Sequence, residues 1–250
     1  MAAPARPSLR ERHRAQVVAD VRAAAHRQLE AVGPAGLSLR EVARDVGMAV
    51  SALYRYYANR DALLTDLLVR AFDSHADAVE VATAEVPDDP MGAVRAAFLA
   101  YRAWGMQHPA DFRLAYGTPV PGYTAPAEQT VRAGTRIPDH LIGLVTAAWE
   151  RGQLDRAAVR ERGDRLSPGT AAQLAALCAA RDYTLPVAAY ALAHDCYAAV
   201  HGLVAMEVFG QLRPVLPDAE HYLQEVLDAH LQAMSAAPVA PGRRRGAARR

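Results

Sequence analysis

The sequence contains no lysine: all 28 basic residues are arginine, an absence that reads first as a coding bias toward high GC and only second as chemistry. Cysteine is scarce. Cys178 and Cys196 stand eighteen residues apart, which excludes a CxxC motif and a disulfide framework and suits a reducing, cytoplasmic setting. Aromatics make up only 6% of the chain, and β-branched runs are sparse, so the composition leans away from sheet and toward helix. No apolar run reaches membrane-spanning length. Arg6, Arg10, Arg12 and Arg14 lead into an amphipathic stretch and not into an apolar signal core. The expectation is a soluble cytoplasmic protein with no membrane partner.

Catalytic patterns are missing as well. There is no GxSxG, P-loop, Rossmann glycine pattern, HExxH or paired CxxC, and the nine histidines do not cluster at metal-ligand spacing. His194-Asp195-Cys196 holds the residue types of a nucleophilic site. Adjacent helical residues point about 100° apart, however, so the three cannot share one site and read as part of a helical core. The expectation is no enzyme, no metal and no cofactor.

What is present is a long apolar chain of uneven charge. Its 250 residues are 52% hydrophobic, enough for one large core or two unequal ones. Residues 1–60 hold ten arginines against five acidic residues, a net of +5. Residues 61–242 hold thirteen against twenty-two, a net of −9, and five more arginines follow from Arg243. A basic N-terminal segment on an acidic body points to a polyanion as the partner of that segment.

Residues 1–9 and the Pro/Gly/Arg tail 236–250 read as disordered. A first helix is predicted from Arg10, with Val18, Val21, Ala25, Leu29 and Val32 on one face, ending at Gly33-Pro34-Ala35-Gly36. Ser38 and Glu41 read as a capping box for a second helix that stops at Gly47. A third is predicted over 50–57. Asn59 reads as the N-cap of a fourth, with Leu63, Leu64, Leu67, Leu68, Ala71, Phe72 and His75 as its stripe. Beyond the loop signal at 84–90, helices are predicted to Gln107, from Pro109 to Tyr116, and over 136–152, 170–181, 186–211 and 218–234, with a Pro/Gly-rich loop at 117–126.

Two short helices joined by a Gly-containing turn form a helix-turn-helix, whose second helix is narrow enough for the major groove of DNA. With Leu53 and Tyr57 inward, Ser51, Ala52, Arg55 and Tyr56 fall nearer the outer surface. Serine can bond to several bases and an alanine methyl can meet a thymine methyl. Tyrosine hydroxyls, Arg60 and the free N–H groups at the start of the fourth helix suit phosphates.

The stretch Ser38–Leu64 resembles the DNA-binding signature of the TetR family. Ser38, Leu39, Arg40, Val42, Ala43, Gly47, Leu53, Tyr54, Tyr56, Arg60 and Leu63 stand in register with it. The resemblance implies that Arg40 reaches a base, that Val50, Ser51 and Ala52 line the groove, and that Ser38, Tyr54, Tyr56 and Arg60 grip phosphates. The chain departs from the pattern where Ala49 replaces a frequent serine, Met48 a valine and Tyr57 a phenylalanine. Tyr101–Trp104, 108–123 and 199–210 resemble a C-terminal subgroup of the family in which a helix carrying His-Gly precedes an apolar run. That likeness implies a homodimer through the last two long helices, about 186–211 and 218–234.

Trp104, Phe112, Tyr116, Tyr123, Trp149, Tyr197 and His201 are candidate lining for an effector cavity, which suggests an apolar or aromatic ligand, although each residue singly fits a packed core. The expected architecture is all-α. A helix-turn-helix DNA-binding domain spans 10–60, and a larger helical ligand-binding and dimerisation domain spans 61–235. The expected function is a repressor released from double-stranded operator DNA by a small molecule whose identity is unknown. The alternative is a constitutive DNA-binding regulator of the same fold with no ligand.

Overall fold

A computed structural model describes residues 8–213 and 215–236. The expected disorder of 1–7 and of 237–250 lies outside the described residues. Among those described, all regular structure is helical, apart from one isolated bridge between Leu154 and Ser235. No described helix is long and apolar enough to cross a membrane.

The chain forms two compact units. Where sequence reading places a boundary at 60/61, the contacts group residues up to Ser74 with His108–Gly134, and His75–Gln107 with the chain from Thr135 onward.

The first unit opens with α1 (Leu9–Val32). Its helical start is earlier than the expected Arg10 because Ser8 and Glu11 form a capping box: the Ser8 N–H donates to Glu11 Oε2 at 2.7 Å and the Glu11 N–H to Ser8 Oγ at 3.3 Å. Val21, Ala24, Ala25 and Leu29 are buried on the predicted face, but Val32 at its end is 61% exposed. Gly33 then takes φ 71° and a 3-10 turn follows at Pro34–Gly36. The helix α2 (Leu39–Val46) is stopped by Gly47 at φ 73°, a left-handed backbone that glycine adopts without steric cost.

The expected capping box at Ser38 does not form. Its side chain makes no cap bond, its N–H is taken by Gln28 Oε1 at 3.0 Å, and Glu41 pairs with Arg44 instead. The third helix is also shorter than predicted. The helix α3 (Val50–Leu53) is a single turn whose N-cap position, Ala49, offers no side-chain acceptor. At Arg55 and Tyr56 the backbone N–H groups bond three residues back, to Ala52 and Leu53, so the helix tightens into a turn that buries both Leu53 and Tyr57.

Next comes α4 (Arg60–Ala84), started as expected by Asn59, whose Oδ1 accepts the Ala62 N–H at 2.8 Å. Its residues to Ser74 belong to the first unit and those from His75 to the second. The first unit is completed by α6 (Pro109–Tyr116) and α7 (Ala127–Gly134), the latter not anticipated after the Pro/Gly-rich region. Its core joins Val21 and Leu29 to Leu39 and Val42, Leu53, Leu63 and Leu64, with Ala110 and Val120 from the later segment.

The second unit packs α5 (Pro90–Gln107) against α8 (Arg136–Glu150), α11 (Val187–Val208) and α12 (Ala219–Met234). The unanticipated α9 (Arg156–Asp164), capped by Asp155, and the expected α10 (Pro168–Ala180), capped by Ser167, lie against α11. Arginine forks tie the layer together. Arg102 of α5 grips Glu207 of α11 at 2.6 and 2.8 Å and Glu220 of α12 at 3.0 Å, and Arg95 reaches Asp228 at 2.7 Å. Leu223, Leu227, Leu231 and Met234 form the buried stripe of α12, as its periodicity predicts.

Candidate DNA interface and effector cavity

The helix-turn-helix is fastened to α4 by a part-buried network. Arg22 of α1 holds the Asp66 carboxylate with two bonds of 2.7 Å, and the Tyr57 hydroxyl donates to the same carboxylate at 2.6 Å. Burial first, and then this bond, push the Tyr57 phenol up to about 12, so it remains a donor. The Tyr-for-Phe departure thus has a purpose that the sequence alone did not show: the added hydroxyl completes a three-element clamp.

With Leu53 and Tyr57 inward, Arg40, Ser51, Tyr54 and Arg55 are exposed. Val50 and Ala52 are half-buried, and Val50 packs partly on the core together with Tyr56. The Arg14 guanidinium lies over the Tyr56 ring, 5.5 Å from its centre. This contact from α1 was not anticipated, although the arginine-rich start of that helix is plain in the sequence. Ser38 is half-buried at the head of α2.

Arg60 is committed inward. Its Nε donates to Leu37 O at 3.0 Å, and its Nη2 donates to Pro34 O and Ala35 O at 2.9 Å each. These bonds hold the turn between α1 and α2 against the start of α4. Three of the five guanidinium N–H groups are thereby occupied, and only Nη1 is left over for a phosphate.

The structure does not bring the seven candidate cavity residues together. Phe112, Tyr116 and Tyr123 belong to the first unit. There Phe112 is fully buried and 4.8 Å from Tyr116, and Tyr123 Oη is 3.0 Å from Thr65 Oγ1. In the second unit Trp104 stacks on His75 at 4.1 Å, Trp149 carries the Arg156 guanidinium over its ring, and His201 Nδ1 meets Tyr101 Oη at 2.7 Å. Tyr197 alone of the seven lines the apolar cavity of that unit, about 230 Å³ between α5, α8, α11 and the end of α12. The remaining wall includes Val94, Phe98, Leu141, Val145 and Tyr190. The wall mixes aliphatic residues with Phe98, Tyr190 and Tyr197, and nothing in the sequence marks those aromatics apart from the ones that pack elsewhere. Of His194, Asp195 and Cys196, the first and the last both line the cavity, Cys196 as a buried side chain, while Asp195 turns away to pair with Arg162 at 2.7 Å. Among the described residues no group of His, Cys, Asp or Glu could hold a metal.

These features define a class: an all-helical protein that presents a short helix-turn-helix on one compact unit and carries an apolar cavity in the other. The family is shown by two matches. Residues 21–67 match the model of bacterial regulatory proteins of the tetR family, and residues 94–230, more than half the chain, match the tetracyclin repressor-like C-terminal domain. The chain therefore belongs to the TetR family of bacterial transcriptional regulators.

It is 42% identical over 142 residues to the HTH-type transcriptional regulator Rv1816 of Mycobacterium tuberculosis and, equally, to Mb1846 of Mycobacterium bovis. Each match covers 56% of this chain and 61% of the relative. Among solved structures, the regulatory protein SCO4313 superposes with a TM-score of 0.70 at 29% identity, covering 90% of this chain and 99% of that one. PfmR of Thermus thermophilus, a TetR family regulator, shares the fold with a TM-score of 0.55 at 16% identity, covering 85% and 97%.

Proposed function

We propose that this protein is a sequence-specific DNA-binding repressor, acting as a homodimer and released from its operator by a small apolar effector. The observation that carries the DNA reading is the set of exposed side chains on the helix-turn-helix, Arg40, Ser51 and Tyr54, on a unit whose first 60 residues carry a net of +5. Arg40 and Ser51 are assigned to bases, with Val50 and Ala52 shaping the close approach of α3. Tyr54, Tyr56 and Ser38 are assigned to phosphates. Arg60 is assigned chiefly to positioning the turn, with Nη1 alone facing the backbone of DNA.

The dimer is assigned to α11 and α12. Met206, Phe209 and Tyr222 are each close to 40% exposed there, beside Gly202 and Ala198, small residues that permit close helix approach. A two-fold pair would set two recognition helices for half-sites about 34–36 Å apart. The effector is assigned to the second unit's cavity. Such a ligand shifts the equilibrium only by as much as it prefers the conformation that does not bind DNA.

In vitro selection of duplexes with the wild type and with Arg40→Ala tests the base assignment. The expected result is a single enriched, roughly palindromic site for the wild type and relaxed preference at one position of each half-site for the variant. Equal enrichment of all sequences by the wild type would contradict it.

A further inference from the structure

The cavity of the second unit restricts its ligand by size and charge as well as by apolarity, and an inference from those limits rests on the effector role proposed for that cavity. Its volume of about 230 Å³ lies below the roughly 300–1,000 Å³ usual for drug-sized ligands, which limits the occupant to a small molecule, and the ring faces of Tyr190, His194 and Tyr197 in its wall favour a compact ring system. None of its lining residues is Asp, Glu, Lys or Arg. Asp139 and Arg181, which flank this region, satisfy each other, and the Tyr183 hydroxyl donates to the same carboxylate. Of the lining side chains only the His194 imidazole, at the rim, could oppose an anion, so an ionised ligand buried deeper would lose its hydration without gaining an ion pair.

The polar atoms of the wall are few, and most are spoken for. The Tyr197 hydroxyl is engaged with Tyr101, which in turn meets His201 at 2.7 Å. Cys196 is 1% exposed, and burial pushes its thiol up to about 12, so it stays protonated and serves as apolar lining. His194 is exposed and lies at the rim. Tyr190 is different. Its ring is held in a column between Tyr183 at 6.0 Å and His194 at 6.1 Å, and its hydroxyl has no hydrogen-bond partner among the described residues. Burial raises its pKa, so it is a standing donor.

We propose that the cavity takes a neutral, compact ring compound bearing a hydrogen-bond acceptor, and that Tyr190 is the residue that recognises the acceptor while the Tyr190–His194–Tyr197 column provides ring faces. The preference is set by pairing: an acceptor satisfies the hydroxyl, whereas a bare hydrocarbon leaves it facing an apolar group.

A matched series of probes tests this on the full chain by calorimetry without DNA: tetralin, its ketone tetralone, and tetralin carboxylate, each against the wild type and Tyr190→Phe. Tetralone is expected to bind the wild type about 10-fold more tightly than tetralin, and Tyr190→Phe to erase that difference while leaving tetralin unchanged. The carboxylate is expected to bind at least about 100-fold more weakly than tetralone. A thermal melt of the variant verifies that its fold is kept. Carboxylate binding as tight as the ketone's, a ketone preference that survives Tyr190→Phe, or no binding by any of the three would overturn the proposal. Release of duplex DNA by tetralone, measured separately, tests the effector reading. Selective binding that leaves DNA affinity unchanged would uphold the ligand class and remove the regulatory link.

Discussion

At the scale of single residues, the Tyr57–Asp66–Arg22 clamp shows how a family position can change its chemistry while keeping its place. Tyr57→Phe keeps the ring in the core but leaves one carboxylate oxygen without its phenolic donor. Urea unfolding is expected to show a loss of about 1.5–3 kcal/mol, the range for a bond to a charged group. The sign of its pH dependence follows from a folded pKa raised to about 12 against an unfolded value near 10. The raised pKa means the neutral phenol is favoured on folding. The contribution is therefore complete below about pH 10 and falls away as pH rises through 12. The stability gap between wild type and Tyr57→Phe should narrow over that window, and a gap that widened would contradict the clamp.

Arg60 and Arg40 separate two meanings of a basic residue near DNA. Arg60→Ala is expected to lower stability, because three backbone carbonyls lose their donors, and to weaken binding to all duplexes alike, with a salt slope reduced by at most about 1. Arg40→Ala is expected to leave stability within about 0.5 kcal/mol and to cost about 1–3 kcal/mol only on sites carrying its base. Sequence alone groups both as contacts. What it cannot show is that the turn at Pro34–Leu37 presents its carbonyls to Arg60, since that depends on packing between segments more than twenty residues apart.

At the scale of elements, what could be read in advance followed periodicity and caps. Asn59 caps α4 as its position before an apolar stripe requires, and Gly47 ends α2. Asn59→Ala is expected to cost about 1 kcal/mol and Gly47→Ala a similar amount, the second because a side chain at φ 73° is strained; thermal denaturation measures both. Ser38 illustrates where such reading stops. Its box partner Glu41 sits three residues on, yet Gln28, ten residues earlier, takes the amide and Arg44 takes the carboxylate. The capping pattern is local, and the long-range competitor for the amide is invisible to it. The helices α7 and α9 escaped notice because each has only eight or nine residues, with one or two buried side chains and no long stripe.

At the scale of the whole molecule, the uneven charge runs along the chain together with the features it carries. The first 60 residues hold the basic excess and the recognition helix, while the acidic remainder holds the cavity and the two long C-terminal helices. The dimer surface can be tested independently of DNA. Met206→Arg with Phe209→Glu places charges of opposite sign on a partly exposed apolar face, and a thermal melt of the variant measures what the two changes cost in packing within the subunit. Sedimentation is expected to give a dimer for the wild type and a monomer for the double variant. An unchanged dimer would move the interface off α11. The cavity was the least legible feature of all. Its wall is assembled from α5, α8, α11 and α12, elements far apart in the chain, and its residue types are those of any helical core.

The central claim is sequence-specific DNA binding, and the most direct test is titration of the purified protein onto duplex from upstream of its own gene, with salt and random competitor duplex as variables. The expected result is nanomolar binding that survives excess competitor and weakens steeply with salt, with Arg40→Ala losing the specific component and keeping the salt-dependent one. Binding removed by competitor at every salt concentration, there and on any duplex enriched by selection, would contradict it.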